Sequence, residues 1–115
     1  ENDRYWLNRQ LFPLLAEVYD PGSAHADDPT CWAAAAGPED LQGLPPHVIA
    51  CAELDPLRDE GLAHHRRLLA AGVPSVGLVY PGLCHVGMIL FRDAMPDVYA
   101  HAVRDVVGFA RSVRG

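Results

Sequence analysis

An aspartate and a histidine, Asp55 and His85, are the residues whose types and spacing best fit acid–base chemistry. A carboxylate on one ring nitrogen fixes the tautomer and orientation of an imidazole, and it stabilises the imidazolium that forms on proton transfer. Asp55 would orient the ring and His85 would move the proton. Each residue alone also has a purely structural interpretation, because Asp-Pro commonly caps a helix and a histidine in a loop is often only a polar surface group.

The elements around this pair predict a βαβ unit. The apolar run 48–52 is typical of a strand buried on both faces, a helix follows with Asp55 as its N-cap and Gly72 as its C-terminal cap, and 75–80 is the next strand. Strands joined in this way lie parallel with a right-handed crossover, about 5 Å apart if they are neighbours. Sites in parallel sheets lie beyond the carboxyl ends of the strands, where Asp55 and His85 would meet.

The remaining sequence divides into an irregular front part and a regular back part. Apolar residues recur at helical spacing over 7–18, where Pro13 is expected to kink or split the helix. A closing helix is predicted over 97–113. We therefore predict a cap or connecting segment at 1–45 and the βαβ core with its last helix at 46–115.

Composition excludes several classes of function. The 115 residues carry a net charge of -6 and include no lysine, which argues against a nucleic-acid partner. No apolar run approaches the ~18 residues of a membrane span, and the start lacks a signal-peptide pattern. The isolated thiols Cys31, Cys51 and Cys84 indicate neither a disulfide framework nor a zinc ribbon, and they predict a reducing compartment, the cytoplasm.

Weaker candidates flank the pair. His64 and His65 are adjacent on a helix and point in different directions, so no metal site is predicted there. Met88 and Phe91 follow His85 closely and are predicted to bind substrate as walls of an apolar pocket. A short core helix under the sheet edge explains the same apolar residues equally well.

Three segments resemble a known family: L-P-P at 44–46, E-L-D-P-L-R-D-E-G at 53–61 and Y-P-G-L-C-H at 80–85. The chain is similar to the carboxyl-terminal part of bacterial α/β hydrolases of the hormone-sensitive-lipase type, and within them to carboxylesterases of the brefeldin A esterase kind. The resemblance implies an α/β-hydrolase fold, with Asp55 as triad acid and His85 as triad base. The family pattern has glycine after this histidine, where the present chain has Val86.

The triad order on this fold is Ser, Asp or Glu, and His, with the serine in G-x-S-x-G. This chain has three serines, Ser23, Ser75 and Ser112, and none lies in that motif. We therefore expect a carboxyl-terminal segment of a serine carboxylesterase that is inactive alone. An upstream segment would carry the serine elbow and the oxyanion hole. The substrate would be a small apolar ester, and neither a metal nor an organic cofactor is implied.

Two alternatives remain open from the sequence. The first is a non-catalytic remnant, or a dimerisation or binding module, that keeps the βαβ frame. The second is an α/β hydrolase acting on peptides, epoxides or haloalkanes, because the ester assignment rests on resemblance. In either case the strand 75–80 is expected to form a sheet edge that pairs with a second copy.

Overall fold

A two-stranded parallel sheet lies at the centre of the computed structural model, which describes residues 4–114. The strands are β1 and β2, and helix α3 connects them. The element bounds, in chain order, are α1 (Phe12–Tyr19), α2 (Pro38–Leu41), β1 (His47–Ala52), α3 (Arg58–Ala70), β2 (Ser75–Tyr80), α4 (Gly87–Leu90) and α5 (Pro96–Ser112). Two short 3₁₀ turns, Pro21–Ser23 and Ala33–Ala35, lie between α1 and α2.

The strand pairing confirms the predicted parallel unit. β1 and β2 pair in register from His47 opposite Ser75 to Ala52 opposite Tyr80. The expected burial of β1 on both faces is wrong, because Cys51 and Ala52 are buried but Ala50 is exposed. In the part of the chain that the structure describes, α3 packs against both strands, and Ala102 of α5 lies in a buried cluster with Ala52 of β1.

Helix α3 begins later than the sequence pattern suggests. Asp55 was expected to be its N-cap, but the helix begins at Arg58 and Leu57 is the N-cap residue. The reason is a turn ahead of the helix, in which the Asp55 carboxylate accepts a hydrogen bond from the Leu57 amide and the Asp55 carbonyl accepts one from Arg58. The predicted end is confirmed at Gly72, whose φ of 79° is the left-handed conformation that glycine adopts readily.

Helix α1 differs from its prediction at Pro13. The proline neither kinks nor splits the helix, because α1 begins at Phe12 and Pro13 occupies its first turn. A missing amide donor costs little there, since the first amides of a helix have no intrahelical partner. Residues 4–11 form turns instead of an earlier helical segment.

Buried side chains form two small clusters on either side of the sheet. One contains Ala36, Leu41, Leu68 and Val73, and the other contains Ala52, Leu83, Met88 and Ala102. Helix α5 contributes only Ala102 to the buried set, and its valines at 103, 106 and 107 are exposed. No helix within residues 4–114 is long and apolar enough to cross a membrane. The division of the chain at residue 45 stays a prediction.

Candidate active site

The carboxyl ends of the two strands bring Asp55 and His85 into direct contact. The Oδ2 atom of Asp55 lies 2.7 Å from Nδ1 of His85. Asp55 follows β1 after a turn in which its amide donates to the Ala52 carbonyl, and His85 lies in the loop between β2 and α4. The two loops therefore create the pairing that the parallel topology predicts.

The second oxygen of the Asp55 carboxylate is also occupied. Its Oδ1 atom accepts a hydrogen bond of 2.8 Å from the Leu57 amide. The Asp55 side chain is only 9% exposed, so both acceptor atoms are held in a largely dehydrated environment. A carboxylate fixed at both oxygens has little freedom to rotate, which sets the plane and position of the imidazole bonded to it.

Backbone hydrogen bonds connect the Asp55 loop to the His85 loop beyond the end of the sheet. The amide of Glu53 donates to the Tyr80 carbonyl at 3.0 Å, and that of Leu54 donates to the Leu83 carbonyl at 2.8 Å. The Glu53 side chain adds a third connection, because its Oε2 atom accepts a 2.6 Å bond from the amide of Gly82. These bonds fix the spacing between the two loops and hence between the two side chains.

The imidazole of His85 is partly exposed and lies against an aromatic ring. Its side chain is 29% exposed, and the ring of Trp6 stacks beside it with centroids 6.0 Å apart and planes inclined by 29°. An ionised carboxylate can only accept hydrogen bonds, so Nδ1 of the neutral ring must carry the proton that it shares with Asp55. The other nitrogen, Nε2, then keeps its lone pair and is the atom able to accept a proton.

Val86 follows His85 in an unusual backbone conformation. Its φ of 51° and ψ of 18° lie in the left-handed region, and the residue is the N-cap of α4. This region is strained for a β-branched side chain and suits glycine. The loop therefore takes a shape that favours glycine although valine is present.

A cavity of about 480 Å³ opens beside the imidazole. Its lining is mainly apolar and includes Leu7, Phe12, Leu15, Trp32, Leu57 and His85. Glu60 supplies a carboxylate to the same lining. Such a cavity is large enough for the apolar part of a small organic substrate.

The two residues predicted to bind substrate lie outside this lining. Met88 is buried in the core with Ala52, Leu83 and Ala102, and Phe91 lies at the end of α4 with 38% of its surface exposed. Their assignment stays a prediction. The residues that do line the cavity come mostly from the front of the chain, and sequence reasoning missed them because no local pattern shows that α1 and the 20–36 loop approach His85.

Other polar and titratable side chains make hydrogen bonds or are partly buried away from this cavity. His65 lies 2.8 Å from the Ser75 hydroxyl, and the Ser112 hydroxyl donates to the Phe109 carbonyl. Burial raises the pKa of the Cys51 thiol. Burial also raises the pKa of Tyr80 to about 12, helped by the bond from its hydroxyl to Asp105. Among residues 4–114 no cluster of three or more His, Cys, Asp or Glu side chains is arranged to hold a metal ion.

Known proteins of one family are similar to most of this chain. A family model described as an alpha/beta hydrolase fold matches residues 1–89. Carboxylesterase NlhH of Mycobacterium tuberculosis is 34% identical over 110 residues, which are 93% of this chain and 34% of that protein.

Two solved esterase structures superpose on most of this chain. The structure described as brefeldin A esterase, a bacterial homologue of human hormone-sensitive lipase, superposes with a TM-score of 0.90 at 47% identity, covering 96% of this chain and 30% of that one. Esterase Est22 superposes with a TM-score of 0.77 at 36% identity, covering 84% of this chain and 28% of that one. The chain thus spans about a third of the length of these relatives.

Proposed function

Since this chain belongs to the α/β-hydrolase family, in which its relatives are carboxylesterases, we propose that Asp55 and His85 are the acid and base of a serine carboxylesterase triad. The observation that carries the proposal is the 2.7 Å contact between Asp55 Oδ2 and His85 Nδ1 beside an apolar cavity. The order of the two residues along the chain is also that of the α/β-hydrolase triad.

In the proposed mechanism His85 takes a proton and later returns it. Its Nε2 atom accepts the proton of the nucleophilic serine hydroxyl as the serine oxygen attacks the ester carbonyl carbon. The same nitrogen then protonates the departing alcohol, leaving an acyl-enzyme. A water molecule, deprotonated by His85, then attacks the acyl carbon. The bond from that carbon to the serine oxygen breaks, His85 returns the proton to this oxygen, and the carboxylic acid is released. Asp55 stabilises the imidazolium in both halves of the cycle.

The nucleophile and the oxyanion hole belong, in this proposal, to an upstream segment of the hydrolase. The chain covers 34% of carboxylesterase NlhH, so most of the fold of such a relative lies outside the matched part. The exposed apolar surface supports this: α1 has no buried residue, and Leu14 and Val18 are 61% and 74% exposed. Surfaces of this kind are typically covered in a complete fold.

We propose that the edge of β2 that pairs with no strand among residues 4–114 pairs with a second copy of the hydrolase. β2 pairs with β1 on one side, and Val76 and Val79 on it are 44% and 46% exposed. A strand at the edge of a sheet presents unpaired backbone groups to another strand, and a lysine on the edge opposes such pairing. Val79→Lys is expected to shift the sedimentation of the complete enzyme from dimer to monomer, and an unchanged dimer would exclude this edge.

A hybrid enzyme tests the catalytic assignment. In it, this chain replaces the matched segment of the brefeldin A esterase relative, and hydrolysis of p-nitrophenyl butyrate is followed. We expect the folded hybrid to be active and His85→Ala to lower kcat by about 10⁶-fold. His101→Ala, a change of an exposed histidine on α5, serves as the matched control and should leave kcat unchanged. Activity that survives His85→Ala would overturn the assignment.

A further inference from the structure

The loop between α1 and β1 is organised around one buried carboxylate. Asp20 is 3% exposed, and its Oδ2 atom accepts a 2.9 Å hydrogen bond from the indole nitrogen of Trp32. Its Oδ1 atom accepts a 3.1 Å bond from the amide of His25. A buried carboxylate is costly unless its oxygens are bonded, so these donors hold the loop in one arrangement.

The indole of Trp32 is fixed by more than its bond to Asp20. Tyr19 packs edge-on against it, with ring centroids 5.0 Å apart and planes at 78°. The Tyr19 hydroxyl donates a 3.0 Å bond to the Cys31 carbonyl, and the amide of Trp32 donates a 2.8 Å bond to the Asp28 carbonyl. Both the indole and the backbone of Trp32 are therefore held in place.

This anchored indole lines the same cavity as His85. Because its N–H is bonded to Asp20, the ring presents carbon atoms to other neighbours and acts as a flat apolar surface. Phe12 and Leu57 line the same space, and Leu57 is itself bonded to the carboxylate that holds His85. An aromatic ring gains stacking energy against another aromatic ring beyond the burial of its area.

We propose that Trp32 determines the specificity of the site by stacking against an aryl group of the ester, and that Asp20 is the residue that positions Trp32. This inference rests on the proposed ester hydrolysis. The aryl group belongs either to the acyl part or to the alcohol part of the ester. In both cases an aromatic ring stacks against the indole. A cavity of about 480 Å³ accommodates a benzene ring.

Kinetics of the hybrid enzyme test the inference. Phenyl acetate carries the ring in the alcohol and ethyl benzoate carries it in the acyl group, with ethyl acetate as the common reference. Trp32→Ala is expected to lower kcat/KM about tenfold for one aryl ester, mainly through KM, since aromatic stacking contributes about 0.5–1.5 kcal/mol. Ethyl acetate should change less than about twofold. Equal losses for all three esters would overturn the inference.

Three further variants separate positioning from folding. Trp32→Phe keeps an aromatic wall and should restore most of the aryl preference. Asp20→Asn keeps an oxygen that can accept a hydrogen bond from the indole N–H, so this variant should retain the aryl preference. Asp20→Leu removes the acceptor and should reproduce the loss of aryl preference expected for Trp32→Ala. An aryl preference unaffected by Asp20→Leu would exclude the positioning role.

A binding measurement on the 115-residue chain is independent of activity. The chain has two tryptophans, so Trp6→Phe assigns the indole N–H signals in a nitrogen-15 correlation spectrum. Ethyl benzoate should shift the Trp32 indole and the His85 ring signals together, and ethyl hexanoate at the same concentration should not. These shifts together with an inactive hybrid would contradict only the catalytic proposal. An active hybrid whose chain shows no such shifts would contradict the Trp32 inference.

Discussion

The carboxylate of Asp55 bonds His85 through one oxygen and begins the turn into α3 through the other. Oδ2 lies 2.7 Å from Nδ1 of His85, and Oδ1 accepts a 2.8 Å bond from the Leu57 amide. A structural role in the turn before α3 and the proposed catalytic role are thus compatible in this aspartate, because each uses a different carboxylate oxygen. The orientation of the imidazole is tied to the start of the helix.

Substitutions at Asp55 should separate these two contributions. Asn retains an oxygen that can accept from the Leu57 amide, whereas Ala leaves that partly buried donor unsatisfied. We expect Asp55→Ala to be less stable than Asp55→Asn by about 1 kcal/mol in urea unfolding, the usual net value of such a hydrogen bond. Equal stabilities would show that the bond to Leu57 contributes nothing.

Val86 offers a test of backbone strain beside the site. Its left-handed φ of 51° costs a residue with a β-carbon roughly 1–2 kcal/mol. Val86→Gly and Val86→Ala both remove the side chain from its packing, but only glycine relieves the strain. We expect the glycine variant to be more stable than the alanine variant by about 1 kcal/mol in thermal unfolding. The reverse order would mean that the loop does not hold this conformation.

Two glycines in helices should respond oppositely to alanine. A β-carbon on Gly61 of α3 would lie 2.8 Å from the Cys51 sulfur, whereas one on Gly108 of α5 meets nothing within 4 Å. We expect Gly61→Ala to destabilise the protein by about 1–3 kcal/mol through overpacking against β1. Gly108→Ala should stabilise it by up to about 1 kcal/mol through helix propensity. Denaturant midpoints measure both, and similar shifts would contradict the close packing of α3.

Tyr80 makes stability depend on pH in the alkaline range. Burial and the bond to Asp105 raise its pKa from 10.0 to about 12 in the folded state. The folded protein therefore binds the phenolic proton more tightly than the unfolded chain does, so stability conferred by this group is complete below pH 10 and falls between about pH 10 and 12. Measured by urea unfolding across this pH range, the free energy of unfolding should fall less steeply for Tyr80→Phe than for the unchanged protein. An identical fall in both proteins would contradict the burial of this hydroxyl.

Local sequence patterns predicted the parts of the molecule that local forces determine. The bounds of β2 follow from an apolar run that ends before Pro81 and Gly82. Because β1 pairs with β2 in parallel, the loops that follow the two strands bring Asp55 and His85 together. The cavity wall could not be predicted in this way. Trp32 reaches the site through its bond to Asp20, a long-range contact in an irregular loop without periodicity.

The start of α3 shows the same limit on a smaller scale. Asp-Pro predicts a helix cap, whereas Asp55 bonds the Leu57 amide within a turn that precedes the first helical residue, Arg58. The sequence left a short core helix open as an alternative for Met88, and this residue is buried in α4. Its packing against Ala52 and Ala102 could not be predicted, because it depends on where α5 lies.

The most direct test of the central claim, that Asp55 and His85 act as one catalytic unit, is kcat of the double variant in the hybrid enzyme. Asp55→Asn alone should lower kcat by about 10⁴-fold and His85→Ala alone by about 10⁶-fold. If Asp55 acts only through His85, the double variant will match His85→Ala within about threefold. A double variant in which the two losses multiply would contradict the account, because the two residues would then contribute independently.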